Sequence, residues 1–309
     1  MTSLLVSGSG RTRAAVSALV LIGSAAAVVG LATSAVADHI CGVSPSTIHG
    51  TSGNDRLTGT AGDDIIHGLG GDDQIFGLGG NDIICGGPGN DRIEGGDGDD
   101  SLVGEDFGPG SRPGGGNDVL DGGRGVLDFL VGDYASFGDV TASGGADILT
   151  DPDGAQMFGD NVSLEHASGS GGGDRLTLSG GTGGLSLLIG DNFGVDGASG
   201  AGGIDSLTSA GGDDFLVGDN ASNDSSFPAS GKGGNDRLNS GPGADRLFGD
   251  NVTSDGGVSQ STGGGGNDQL TAGAGADELH GGPATDRCDG GSGTDTAPEG
   301  DCEQRISIP

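Results

Sequence analysis

Six nine-residue blocks follow one another without a gap from Gly50 to Val103. The first and fourth residues of every block are Gly, the sixth is Asp, and the eighth is Leu or Ile. Glycine permits turn conformations that other residues disfavour, and the apolar eighth residue supplies a narrow core. The period predicts a solenoid in which each block forms a turn and a short strand, with position eight pointing inward and positions seven and nine outward.

The composition favours such a solenoid over an ordinary globular core. Gly accounts for 73 of the 309 residues, and the chain has no Trp and only one Tyr. The formal net charge of −33 makes nucleic acid and anionic membranes unfavourable partners. Acidic chains with few aromatic residues are often disordered, and we expect disorder here only when no cation is bound.

The first 37 residues predict a secretory signal peptide. Arg11 and Arg13 precede an apolar run at 14–31, and an A-x-A cleavage signal occupies 35–37. A retained membrane anchor is the alternative interpretation. Cleavage after Ala37 would remove two arginines and no acidic residue, and would place the mature protein outside the cell.

Four cysteines lie beyond the predicted signal peptide, which suggests two disulfides in an exported protein. Three pairings are possible. We favour Cys41–Cys85 with Cys288–Cys302, because each pair brackets one end of the repeats. A zinc site is disfavoured, since no C-x-x-C occurs and the histidines share no ligand spacing.

The chain divides further by the regularity of its repeats. The tripeptide Gly-Asp-Asn, or Gly-Asp-Tyr in its first copy, begins at Gly132, Gly159, Gly190, Gly218 and Gly249. Two blocks make one coil, and each coil of this middle part is predicted to carry an extra loop of roughly ten residues on one side. The predicted segments are an N-terminal cap at 38–49, regular repeats at 50–103, an interruption at 104–113, loop-bearing modules at 114–262, regular repeats at 263–296 and a C-terminal cap at 297–309.

The position-six aspartates define the predicted ligand. Every second block stacks, so these carboxylates form two columns with a spacing of about 4.8 Å. Their mutual repulsion is on the order of 1–4 kcal/mol per pair, and a cation between coils reverses its sign. Calcium accepts six to eight oxygens in flexible geometry, whereas magnesium is more exacting. We predict calcium held by turn carbonyls and by Asp55, Asp64, Asp73, Asp82, Asp91, Asp100, Asp118, Asp128, Asp147, Asp174, Asp205, Asp214, Asp236, Asp245, Asp268, Asp277, Asp286 and Asp295.

The blocks resemble the hemolysin-type (RTX) calcium-binding nonapeptide repeat, whose consensus is G-G-x-G-x-D-x-U-x. The resemblance is closest over 50–103 and is also good at 114–121 and 263–296. It implies an all-β fold, a right-handed parallel β-roll (a β-solenoid), which folds on binding calcium. The expected Asp is absent at Gln156 and Ser186, so incomplete sites are expected there.

Two further patterns leave alternatives open. The aspartates of the Gly-Asp-Asn and Gly-Asp-Tyr copies are either additional calcium ligands or residues that hydrogen-bond their own turns. The sequons at Asn161, Asn220 and Asn251 recur with the module, which favours a structural use over glycosylation.

No local catalytic motif such as G-x-S-x-G or H-E-x-x-H is present. We therefore predict an extracellular, non-enzymatic calcium-binding protein with a structural, adhesive or matrix role. Its partner would be a cell-surface or matrix ligand bound by the one-sided loops after Asn161, Asn192, Asn220 and Asn251. The alternative is a secreted hydrolase that uses the roll as a scaffold.

Overall fold

The computed structural model describes residues 19–22, 25–28, 48–180, 186–223, 228–253 and 263–308. Most of the predicted signal peptide and N-terminal cap lies outside these residues. In this part of the chain there is no helix, and so none that is long and apolar enough to cross a membrane. Leu19–Ile22 pairs antiparallel with Ala25–Val28, and every other pair of described strands is parallel.

Two long parallel sheets form the body of a β-roll, which confirms the predicted fold class. The first sheet has 11 strands: Arg56–Thr58, Gln74–Gly79, Arg92–Asp97, Val119–Arg124, Ile148–Asp151, Arg175–Leu178, Ser206–Thr208, Arg237–Asn239, Gln269–Thr271, Arg287–Asp289 and Gln304–Ile306. The second sheet has 10 strands: Ile48–His49, Ile65–His67, Ile83–Cys85, Ser101–Val103, Asp128–Val131, Ala155–Phe158, Leu187–Ile189, Phe215–Val217, Arg246–Phe248 and Glu278–His280.

The position-eight residues form the core between these two sheets. Ile66, Ile84 and Leu102 on the second sheet pack with Ile75 and Ile93 on the first, and all five are fully buried. Each strand contributes one inward residue per turn because neighbouring side chains of a strand point to opposite faces. The repeated Leu or Ile therefore stacks into a continuous apolar column along the roll.

The predicted loops of the middle part are instead additional layers of sheet. A third sheet consists of the strands Ala135–Ser136, Val162–Ser163, Phe193–Gly194, Ala221–Ser222 and Val252–Thr253. A fourth consists of Gly110–Ser111, Val140–Thr141, His166–Ser168 and Gly197–Ser199. The described parts of the inserts pair in register from coil to coil, so they include strands and are not only loops as predicted. The segments 224–227 and 254–262 of the last two inserts lie outside the described residues.

The third sheet also corrects the expectation that positions seven and nine point to solvent. Phe129 and Val131 flank the position-eight residue Leu130, and all three are buried. Phe129 and Val131 belong to a second apolar core, which includes Val162 and Phe193 of the third sheet. The outer face of the second sheet becomes buried wherever an insert covers it, which explains the apolar run before each Gly-Asp-Asn.

The buried asparagines of the module form a ladder between coils. The Asn161 side-chain amide donates to Asn192 Oδ1 at 2.8 Å, Asn192 donates to Asn220 at 2.8 Å, and Asn220 donates to Asn251 at 2.7 Å. These four side chains are at most 1% exposed. The ladder supports the predicted structural use of the sequons, because a buried amide that bonds its neighbours is not accessible for glycosylation.

A disulfide between Cys288 and Cys302 closes the C-terminal end, as predicted. The last strand, Gln304–Ile306, pairs with Arg287–Asp289 and completes the first sheet. Cys85 is also disulfide-bonded, while Cys41, its predicted partner, lies outside the described residues.

Two leucines occupy backbone positions that favour glycine. Leu69 and Leu78 have φ angles of 82° and 83°, where Gly87 and Gly96 stand in the following coils with φ angles of 97° and 123°. A left-handed backbone costs a residue with a side chain roughly 1–2 kcal/mol. Leu78 is 53% exposed, so little apolar burial offsets that cost.

We therefore expect Leu78→Gly to stabilise the folded protein by about 1 kcal/mol. The measurement is the urea unfolding midpoint in saturating calcium. Thr58→Gly is the control, because Thr58 is an exposed strand residue without a positive φ angle. Destabilisation of both variants alike would contradict the assignment of strain to Leu78.

Candidate metal sites between the coils

The first glycine of each block opens a space between two coils. At Gly68 the N–H donates to the Cys85 carbonyl oxygen of the next coil at 2.9 Å. A Cβ added to Gly68 would collide with the Gly86 carbonyl oxygen and with Asp73 Oδ2. Glycine is therefore required because a carbonyl and a carboxylate converge on the position of its missing side chain. We call this arrangement a cradle.

The position-six aspartates of alternate blocks form a continuous first acidic row. Oδ1 of each member accepts the backbone N–H of the member one coil earlier. For example, the Asp55 N–H donates to Asp73 Oδ1 at 2.7 Å, and the Asp174 N–H donates to Asp205 Oδ1 at 2.6 Å. Glu303 ends the row by accepting the Asp286 N–H at 2.7 Å. The aspartates of the row are Asp55, Asp73, Asp91, Asp118, Asp147, Asp174, Asp205, Asp236, Asp268 and Asp286.

Every cradle of the first acidic row retains its glycine. In all but the last, the space of the missing Cβ is flanked by the aspartate Oδ2 and by a glycine carbonyl of the next coil. At Gly281, the last, the neighbours are Asp286 side-chain atoms and the Asp301 carbonyl oxygen. The glycines are Gly50, Gly68, Gly86, Gly104, Gly132, Gly159, Gly190, Gly218, Gly249 and Gly281. The inserts of the middle coils therefore leave this row intact.

A second acidic row runs on the other side of the core and is interrupted. Its first part is Asp64, Asp82, Asp100 and Asp128, and its last part is Asp214, Asp245, Asp277 and Asp295. Between them the strand register places Ala155 opposite Asp128, and Gln156 opposite Leu187. The missing aspartate is therefore at Ala155 and not at Gln156 as predicted, whereas Ser186 occupies the expected place and donates its N–H to Asp214 Oδ1 at 3.2 Å.

Asp151 brings a carboxylate to the interruption, and sequence reasoning missed it. The strand register aligns Asp121 with Thr150, so Asp151 stands where the preceding coil has Gly122. A Cβ on Gly122 would meet both Asp151 Oδ2 and Asp128 Oδ2, the latter at 3.1 Å. Asp151 Oδ1 accepts the N–H groups of Asp153 and Gly154, at 2.9 and 2.8 Å. The signal in the sequence is an acidic residue at a position where earlier coils have glycine.

Side chains replace the cradle glycine in the last part of the second acidic row. Five residues before Asp214, Asp245 and Asp277 stand Ser209, Ser240 and Ala272, all buried. The Ser209 hydroxyl donates to Asp214 Oδ2. These three aspartates remain predicted ligands, but their surroundings differ from those of the glycine cradles.

A further pattern, at position five, was also missed. This position is Asn or Asp in all six opening blocks. Its side-chain oxygen accepts the N–H of the position-five residue one coil later, from Asp72 to Asn54 at 3.0 Å and from Asn90 to Asp72 at 3.1 Å. The position-six bonds run in the opposite direction along the roll. Positions five and six therefore tie each coil to both of its neighbours.

The residues of the glycine cradles fit a hard divalent cation. The first-row Oδ2 atoms from Asp73 to Asp286 are buried and accept no hydrogen bond. An unsatisfied buried carboxylate oxygen is costly, whereas calcium takes carboxylate and carbonyl oxygens as ligands. No group of three or more His, Cys, Asp or Glu side chains converges as a metal site within the described ranges. Backbone carbonyls would therefore have to supply much of the ligand set.

Burial also alters the protonation of these carboxyls. Loss of hydration is the largest cause that raises the pKa of Asp91 to about 7, of Asp268 to about 8 and of Asp118 to about 10. Neighbouring carboxylates raise each pKa further, and a backbone hydrogen bond opposes the shift. Without a cation, the folded roll thus disfavours ionisation of its own ligand row.

Comparison with known families agrees with this geometry. The family model of the RTX calcium-binding nonapeptide repeat (4 copies) matches residues 49–84, 85–107, 114–126, 229–251 and 262–297. No match was found among curated proteins or solved structures. The chain contains RTX repeats, and RTX nonapeptide repeats bind calcium. The unmatched stretch at 127–228 continues the first acidic row through Asp147, Asp174 and Asp205. The protein is therefore a calcium-binding β-roll protein.

Proposed function

We propose that this is an extracellular structural protein whose roll folds when calcium enters the cradles of the first acidic row. The observation that carries the proposal is that the buried Oδ2 atoms of the first acidic row accept no hydrogen bond. When bound, calcium supplies the positive charge that the chain lacks, since 45 acidic residues face only 12 basic ones. The protein's own contribution is to hold one carboxylate and one carbonyl oxygen at each glycine.

Equilibrium dialysis of the chain from Asp38 onward tests this proposal. We expect about one calcium ion for each glycine cradle, with cooperative binding because each coil is the template for the next. Magnesium at the same concentration should bind far less, because it holds its waters and requires octahedral geometry. Equal binding of both ions, or no calcium bound at millimolar concentration, would refute the proposal.

The fourth sheet favours an adhesive role as a second proposal. Strand register and one bridge align Ser111, Thr141, Ser168, Ser199 and Ser230 in a row, with Thr141 and Ser168 hydroxyls 2.9 Å apart. These residues are exposed or partly exposed. A regular row of hydroxyls would suit a hydroxyl-bearing ligand such as a polysaccharide of the cell surface or matrix.

Retention of labelled protein on cellulose and dextran beads tests the adhesive role. Replacing Thr141 by Val and Ser168 by Ala should reduce retention while calcium-dependent folding is kept. Thr58→Val, on an exposed strand of the first sheet, is the matched control. Unchanged retention of the double variant, or no retention of the wild type, would count against this role.

A further inference from the structure

The Gly-Asp aspartates form a third acidic row beside the first. The row begins at Glu105, which follows Gly104 in the same way, and every member is at most 2% exposed. The repeat consensus does not account for these carboxylates. Its members are Glu105, Asp133, Asp160, Asp191, Asp219 and Asp250.

One oxygen of each later carboxylate has a fixed structural bond. Asp160 Oδ1 accepts the Gly172 N–H at 3.1 Å, and Asp191 Oδ1 accepts the Gly203 N–H at 3.0 Å. Asp219 and Asp250 accept from Gly234 and Gly266, each at 2.8 Å. These bonds tie each insert back to the G-G-x-D turn that follows it. The turn-forming interpretation supposed that each aspartate bonds its own turn, but these bonds are to a later turn.

Asp160 Oδ2 also accepts the Gly172 N–H, at 3.4 Å, whereas the second oxygens of the three later members have no such bond. Oδ2 of Asp191, Asp219 and Asp250 is buried and accepts no hydrogen bond. The salt bridges of the described residues pair none of these aspartates with Arg or His. Loss of hydration raises the pKa of Asp191, and the negative charges of first-row Asp205 and Asp236 and of Asp219 in its own row raise it further.

Carboxylates from successive coils converge at three glycines. A Cβ on Gly202 would meet Asp219 Oδ1 of one coil and Asp191 Oδ2 of the previous coil, the latter at 2.9 Å. A Cβ on Gly171 would likewise meet Asp191 Oδ1 and Asp160 Oδ2, the latter also at 2.9 Å. A Cβ on Gly233 would meet Asp250 Oδ1 and Asp219 Oδ2, the latter at 2.6 Å. Two carboxylates, rather than one carboxylate and a carbonyl, therefore face each of these gaps.

We propose that calcium binds in three gaps, between the carboxylates of Asp160 and Asp191, of Asp191 and Asp219, and of Asp219 and Asp250. The insert-bearing coils would then hold a line of calcium ions beside those of the first acidic row. This inference rests on the proposed calcium-dependent folding. Sites with more carboxylates bind calcium more tightly, because ligand charge tunes affinity. The middle coils should therefore load before the regular repeats at either end.

The test replaces Asp191 and Asp219 by Asn, singly and together. Asn keeps Oδ1 as an acceptor for the Gly203 or Gly234 N–H, but removes the charge and the second oxygen ligand. Asp191 borders two gaps and so does Asp219, while together they border all three. Equilibrium dialysis with radioactive calcium should show each single variant losing the ions of two gaps and the double variant losing only one more. Asp153→Asn, which removes an exposed carboxylate outside the three acidic rows, should keep the full number.

The outcomes separate this inference from the proposed function. If the wild type binds no calcium, the proposed function fails. If the wild type binds calcium and Asp191→Asn binds the same number with the same affinity, only the third-row sites fail, and the buried carboxyls share protons instead. Circular dichroism in saturating calcium checks that each variant folds. Should Asp191→Asn not fold, Asp160→Asn carries the test, because Asp160 borders a single one of these gaps.

Discussion

Alanine at Gly86 is expected to destabilise the protein by at least about 3 kcal/mol and to eliminate calcium binding at that coil. The added Cβ would collide with Asp91 Oδ2 and with the Gly104 carbonyl oxygen. Neither group can retreat freely, because Asp91 Oδ1 accepts the Asp73 N–H at 2.7 Å and the Gly104 N–H is bonded to Val131 at 2.9 Å. The substitution therefore fills a cradle and separates two stacked coils. The thermal midpoint and the calcium stoichiometry are the measurements.

Gly62→Ala is the matched control. Gly62 is the fourth residue of its block, and a Cβ there would meet nothing within 4 Å. We expect a neutral or slightly stabilising effect, up to about 1 kcal/mol, because alanine restricts the unfolded chain more than glycine does. Similar losses from both substitutions would mean that glycine is needed throughout the repeat for backbone freedom, and not at the cradles for space.

Lowering the pH should partly stabilise the folded roll when no calcium is bound. Burial raises the pKa of Asp100 to about 6, of Asp91 to about 7 and of Asp268 to about 8, compared with 3.8 for the unfolded carboxyl. The folded roll therefore binds more protons than the unfolded chain between these values. Its stability rises as the pH falls from about 8 towards 4, and the cost of burying ionised carboxylates returns as the pH rises towards the folded-state pKa values.

The pH dependence should reverse in saturating calcium. Protons then compete with the cation for the same Oδ2 atoms, so acid weakens binding and lowers the stability of the loaded roll. Circular dichroism from pH 8 to pH 4.5, with chelator and with calcium, measures both directions. Loss of structure on acidification in chelator would contradict the view that burying ionised carboxylates is the barrier to folding without calcium.

The regular repeats were predictable because their chemistry is local. A block such as Gly68–Phe76 contains its own turn glycine, its own ligand and its own core residue, so the period alone defines the stacking. Strand register confirmed that Arg92 follows Gln74 by one eighteen-residue coil in the first sheet. The alternation of Asp73 and Asp82 between two rows follows from the same period.

The insert-bearing coils were less predictable because their contacts link residues from different coils and layers. From the sequence, Phe193 is expected in a polar loop. In the structure its ring centre lies 5.5 Å from that of Phe158, and it belongs to the second apolar core. Ala155 takes the aspartate position because it lies eight residues after Asp147 of the first row, one fewer than the nine-residue period that points to Gln156. Asp151 brings a carboxylate close to that interruption only through its alignment with Gly122 in the preceding coil.

Far-UV circular dichroism of the chain from Asp38 onward, recorded in chelator, then in millimolar calcium, then in chelator again, is the most direct measurement of whether calcium folds this protein. We predict a disordered spectrum at neutral pH, a β-sheet spectrum after calcium addition, and complete reversal when calcium is removed. Magnesium should not produce the change. A β-sheet spectrum that persists in chelator at neutral pH would contradict the proposal, since the apolar core would then suffice to hold the coils together.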